Sequence, residues 1–300
     1  MSFSSEVKTE LLSLQMMSDC CRHAEAYGML LFGRSFSASS VSFATEHRQA
    51  SERYAQYIQS IVGETPDFTP DEGKMAIVEV STSAQRKKVL AQFGHGADEM
   101  SLRINRANLA GDCCFSSFLR GVFLACGSVS TPEKNYHLEF VVPFLKLSGD
   151  LCTLLEEIGF HPKQVVRKGY RVIYFKDSEN IEDLLTCMGA TNATLKLINI
   201  KIDKDLRNHV NRRINFETAN IDRSVSAGGI QVDAIRKIEN TVGLDTLSDG
   251  LREIAQIRLN NPEASLNELE AMLDGKLSRS GINHRLNRLV QIAKEIEQKT

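Results

Sequence analysis

The apolar positions of this chain fall into two regimes. Up to about residue 188, helical runs alternate with segments in which apolar and polar residues take turns; past residue 229 the spacing is helical throughout. The opening stretch, MSFSSEVKTELLSL, reads as a capped amphipathic helix with Leu11, Leu12 and Leu14 on its inner side. Two strongly apolar helical runs, AEAYGMLLFG and FLRGVFLACG, each lead toward a β segment. Behind the first lie β-like residues 40–47, a polar helix around 52–62 and a second β run at 75–80. Behind the second lie YHLEFVV at 136–142, a helix around 144–158, and QVVRKGYRVIYF, where Lys168-Gly169 turns one alternating strand into the next.

The two halves repeat each other. DCCRHAEAYGMLLFGRSF from Asp19 aligns without a gap on DCCFSSFLRGVFLACGSV from Asp112. Asp19 meets Asp112, both cysteine pairs coincide, Gly28 meets Gly121 and Ser35 meets Ser128. Matches at one offset signal an internal duplication. The pattern predicts one α+β domain of two pseudo-symmetric lobes, about 1–95 and 96–190, its last helix ending near Met188. Gly28 and Gly121 lack a Cβ, which would let two helices approach closely at the lobe boundary.

The C-terminal third predicts helices only. Val232, Ile235, Ile238 and Val242 share one face before Gly243, and Leu251, Ile254, Ala255 and Leu259 share another before Pro262. In ASLNELEAMLDGKLSRSGINHRLNRLVQIAKEI, Ser265 and Glu268 form a capping box, with Leu266, Leu269, Met272 and Leu273 inward. Asp274-Gly275-Lys276 makes a short turn, and Ser278 or Ser280 caps a helix with Ile282, Leu286, Leu289 and Val290 as its buried stripe. Its other face carries Arg279, Ser280, Asn283, His284 and Asn287, flanked by Arg285 and Arg288. From Gly275 to Lys294 there is no acid, against the cations Lys276, Arg279, Arg285, Arg288 and Lys294. This is helix-turn-helix anatomy: the second helix enters a major groove, Asn and Arg pair with adenine and guanine edges, and flanking cations meet phosphates.

Charge adds one feature. The chain has 300 residues, is 42% apolar and 25% charged, and carries a net −2, so no cationic coat covers the whole. Yet KLINIKIDKDLRNHVNRRINF at 196–216 sets six cations, Arg212 and Arg213 among them, against Asp203 and Asp205. It reads as a basic linker, 191–228, giving salt-sensitive phosphate affinity, with SVSAGG at 224–229 as a flexible break before a helix-turn-helix domain at 229–300 (motif about 264–297). No run approaches the roughly 18 apolar residues of a membrane span, and the N-terminus lacks the basic start and apolar core of a signal peptide.

Catalytic and metal motifs are wanting. The seven cysteines include the adjacent pairs Cys20-Cys21 and Cys113-Cys114. Neighbours in sequence rarely converge on one ion, so these read as reduced, partly buried residues, with no metal and no cofactor expected. EGKM at 72–75 is a turn and FGHGADE at 93–99 a loop, neither a nucleotide fingerprint, and no GxSxG elbow appears.

The paired glycine-bearing helices followed by sheet resemble the LAGLIDADG homing-endonuclease fold. That resemblance implies two helices packed on a pseudo-two-fold axis, sheets forming a saddle over DNA, and an acid at each helix end for divalent metals. Here the acid slots hold Gly33 and Cys126, Arg34 stands where a small residue closes the motif, and Glu25 and Glu133 lie elsewhere. Neither slot offers the oxygen a hard ion needs. The whole order of parts, through NRRINFETANI and NPEASLNELEAMLDGKLSRSGINHRLNRL, is similar to the WhiA family of bacterial transcription regulators, with Glu270 at a position often glycine. This implies a cytoplasmic, nucleoid-associated protein acting in sporulation or in cell division and chromosome segregation. Three functions follow: a non-enzymatic regulator specific for double-stranded DNA, a scaffold docking a transcription-factor or RNA polymerase partner on its saddle, or a metal-dependent endonuclease.

Overall fold

The computed structural model describes residues 2–15, 18–69 and 75–298, in two compact units, Met1–Lys204 and Asp205–Thr300. The turn expected at 72–75 lies, for 72–74, outside the described residues. Helix α1 (Phe3–Ser13) is capped by Ser2 and buries Phe3, Val7, Leu11 and Leu12, while Leu14 follows it, partly buried against the same core. Each lobe then runs helix, two strands, helix, two strands, helix. The first comprises α2 (Asp19–Leu31), β1 (Ser35–Phe36), β2 (Val41–Thr45), α3 (Arg48–Val62), β3 (Asp67–Thr69), β4 (Ala76–Glu79) and α4 (Ser83–Gln92). The second comprises α5 (Asp112–Cys126), β5 (Gly127–Val129), β6 (Leu138–Val142), α6 (Leu145–Glu157), β7 (Lys163–Arg167), β8 (Tyr170–Phe175) and α7 (Ser178–Met188). The two antiparallel sheets share one strand order, β1-β2-β4-β3 and β5-β6-β8-β7, so the duplication extends to topology.

Local chemistry explains the boundaries. Lys168 and Gly169 both take positive φ, 50° and 84°, the primed turn whose twist matches a hairpin. Asp177 caps α7, and Gly189 at φ 99° stops it. Helix α4, which the apolar pattern does not predict, starts on a Thr82–Gln85 capping box but buries only Val89 and Leu90, too few apolar positions to set a period. At the lobe boundary α2 and α5 touch backbone to backbone. A Cβ on Gly28 would lie 2.4 Å from the Phe118 carbonyl oxygen, and one on Gly121 would lie 2.1 Å from that of Glu25.

The cysteine expectation needs correction. Each adjacent pair begins one central helix, so it faces the other pair across the pseudo-two-fold axis, and Cys20 and Cys113 are exposed. The flexible break is also corrected, because residues 224–229 lie inside α8 (Thr191–Thr241), a helix of 51 residues. Gly228 is there for proximity, since a Cβ on it would sit 2.6 Å from the Pro262 carbonyl oxygen.

The second unit holds the rest of α8 with α9 (Asp249–Asn260), α10 (Leu266–Met272) and α11 (Arg279–Glu297). Its core joins Ile235 and Ile238 to Ile254, Leu269, Leu273, Ile282, Leu286 and Leu289. Two inward assignments fail: Val242 follows the end of α8 at 46% exposure, and Met272, in the last turn of α10, is 49% exposed.

Candidate nucleic-acid interface

The turn between α10 and α11 is built as the sequence implies. The Ser265–Glu268 capping box closes in both directions, and Asp274 (φ 49°) with Gly275 (φ 71°) reverses the chain. Ser278 Oγ accepts from the Gly281 N–H at 3.3 Å and caps α11. The Glu270 carboxylate accepts from the Arg279 N–H at 3.1 Å, so this residue pins the start of α11.

Burial then sorts the two faces of α11. Ile282, Leu286, Leu289 and Ala293 are buried, and Ser280, Asn283, His284 and Asn287 form an exposed polar row, with Lys276 and Arg279 exposed at its entrance. Arg288 is exposed beside it, 3.6 Å from Glu295. Arg285 departs from the expected flanking role. It is half-buried, donates to the Gly250 carbonyl at 3.1 Å, and clamps α11 onto α9.

A groove of about 490 Å³ opens beside the row, lined by Asn220, Arg223 and Gln231 of α8 and by Asn267, Arg279 and Asn283. Sequence reasoning misses Arg223 because SVSAGG, directly after it, has the composition of a loop. Continued helical periodicity would have put 220, 223, 227 and 231 on one face. Of the connector cations, Lys196 pairs with Glu6, Lys201 with Glu182, and Lys204 donates to the Pro132 carbonyl and lies over the Tyr136 ring. Arg212 and Arg213 are exposed on α8, the latter paired with Glu217 at 3.0 Å.

The acid slots of the helix pair carry no ligand chemistry for a hard ion. Gly33 has no side chain, and Cys126, last residue of α5, has a thiol pushed up to about 12 by burial, with nearby Lys8 pulling the other way. That thiol stays neutral at physiological pH. Lys8 donates to the Leu124 carbonyl at 3.3 Å, and burial brings its ammonium down to about 8, still mostly charged at neutrality. A cation next to the slot opposes a second cation. Glu25 is fully buried in α2 and bound to Arg53, Tyr57 and Arg120; Glu133 is exposed. The sheets differ in charge: β1 to β4 contain no Lys or Arg, whereas β7 and β8 bring Lys163, Arg167 and Arg171. No helix among the described residues is long and apolar enough to cross a membrane.

A family model for the WhiA C-terminal HTH domain matches residues 210–293, and one for the WhiA LAGLIDADG-like domain matches residues 115–207. A protein of Ruminiclostridium cellulolyticum named "Probable cell division protein WhiA" is 38% identical, the match covering 99% of this chain and 98% of that one. A protein of the same name from Bacillus cytotoxicus is 36% identical over 99% of this chain and 97% of its own length. The crystal structure of a full-length WhiA from Thermatoga maritima shares the fold at a TM-score of 0.60 and 24% identity, over 98% of this chain and 99% of that one.

Proposed function

The chain belongs to the WhiA family, and from that premise we propose that it is a non-enzymatic regulator of cell division or sporulation that binds double-stranded DNA sequence-specifically and resides on the nucleoid. The observation that carries this reading is the exposed polar face of α11, which holds no acid from Arg279 to Lys294. Ser280, Asn283, His284 and Asn287 stand one above another, where base edges lie when a capped helix enters a major groove. Arg279, at the entrance of that row, joins the base-reading side chains, and Arg223, which lines the adjoining groove, supplies phosphate contacts with Arg212 and Arg213. Without oxygen ligands in the acid slots, the helix pair serves as scaffold.

Binding measured across a salt series, on chromosomal fragments that the protein retains, tests the division of labour. Asn283→Ala is expected to weaken preferred fragments about 10- to 100-fold and leave random DNA unchanged. Arg212→Ala with Arg213→Ala is expected to weaken all DNA alike and to flatten the salt slope by about two. Unchanged specificity in Asn283→Ala would remove α11 from base reading. Supercoiled plasmid incubated with Mg²⁺ or Mn²⁺ is expected to stay supercoiled; nicking that survives further purification would make the protein an enzyme.

A second reading has one observation in its favour. Leu206, Val210, Ile214, Ile221 and Val225 of α8 are all exposed, an apolar row suited to a protein partner of the transcription machinery. If changing these residues to Ser released the protein from the chromosome while DNA affinity in solution held, protein contact would be primary.

A further inference from the structure

At the end of the central helix pair opposite Gly33 and Cys126, the duplication brings four sulfurs together. Cys20 and Cys21 lie in the first turn of α2, Cys113 and Cys114 in that of α5, and their Sγ atoms all lie within 4.8 Å of one another. Metal–sulfur bonds of about 2.3 Å in a tetrahedron set the sulfurs about 3.8 Å apart, so each needs to move inward by about half an ångström. Small side-chain rotations cover that distance.

The surroundings suit the charge of such a group. Four thiolates around a zinc ion carry a net −2, at the N-termini of two helices whose free N–H groups and dipoles favour negative charge. Neither helix receives a side-chain cap from its N-cap residue, Ser18 or Gly111. Asp19, the nearest acid on α2, is paired with Arg22 at 2.9 Å. We propose that Cys20, Cys21, Cys113 and Cys114 form a structural zinc site that clamps the N-terminal ends of α2 and α5 together. A LAGLIDADG-like pair that lost hard-ion ligands at one end thus holds soft-ion ligands at the other. Loading releases the four thiol protons to solvent and changes no oxidation state.

The test uses the full chain, purified in a thiol reductant, incubated with zinc chloride and dialysed against a weak chelator. Elemental analysis is expected to find one zinc per chain. Stripping the zinc should release four further thiols, among the seven cysteines, to a titrating reagent. Cobalt(II) in place of zinc should give a sulfur-to-metal charge-transfer band. Cys20→Ser with Cys113→Ser alters only the two exposed positions, so it should fold with an unchanged far-ultraviolet spectrum and retain no zinc. The proposal is overturned if the unaltered protein keeps no zinc or the double variant keeps as much. Finding the four sulfurs as disulfides under these reducing conditions would overturn it too.

Discussion

Gly121→Ala is expected to destabilise the N-terminal unit by about 3 kcal/mol, the top of the usual range for an overpacked site. A methyl group there would lie 2.1 Å from the Glu25 carbonyl oxygen and 2.8 Å from the Met29 nitrogen. Both are main-chain atoms in the middle of α2, so relief requires parting the two central helices and the cores built on them. In an exposed helix the same change would add up to about 1 kcal/mol of helix propensity. Gly149 of α6 provides that comparison, being exposed with nothing within 4 Å of the place a Cβ would take. Urea unfolding should therefore move in opposite directions for Gly121→Ala and Gly149→Ala. Gly28→Ala, at 2.4 Å from the Phe118 carbonyl oxygen, should resemble the former. Equal midpoints for Gly121→Ala and the unaltered protein would show that the helices do not meet at this glycine.

The contact between α2 and α5 was legible because its cause is local: a glycine at the same place in two aligned apolar runs. The α10–α11 turn was legible for a similar reason, since capping residues, Gly275 and the stripe of Ile282, Leu286 and Leu289 all act within a few residues. What the sequence hid depends on a distant partner. Gly228 looks like a hinge until Pro262 is seen against it. Arg285 looks like a phosphate contact until its hydrogen bond to Gly250 is seen. Four cysteines look like two unconnected pairs until the duplication folds one helix start onto the other. Short strands such as β3, with three residues, have no period to read.

Glu25→Ala is expected to cost about 3–5 kcal/mol, the range for removing one member of a buried ionic cluster. The Glu25 side chain is 0% exposed and accepts from Tyr57 Oη at 2.7 Å, Arg53 Nη1 at 3.1 Å and Arg120 Nη1 at 3.2 Å. Those arginines reach further: Arg53 donates to the Leu12 carbonyl and Arg120 to that of Met188. One carboxylate thereby joins α2, α3 and α5 to the ends of α1 and α7, on the same residue whose main-chain carbonyl meets Gly121. Removing it takes from two largely buried guanidiniums the carboxylate they share, which costs more than the lost attraction alone. Glu25→Gln keeps an acceptor oxygen of similar shape and should lose less. The triple change Glu25→Met, Arg53→Met and Arg120→Met removes every charge together, and should recover most of the stability lost by Glu25→Ala. That recovery would assign the cluster to fixing how the helices meet, with little net contribution to stability. If instead the triple variant were the least stable of the three, the ion cluster would itself hold the lobes together. Thermal and urea melts of the same set decide between these outcomes, because each places the triple variant on a different side of Glu25→Ala.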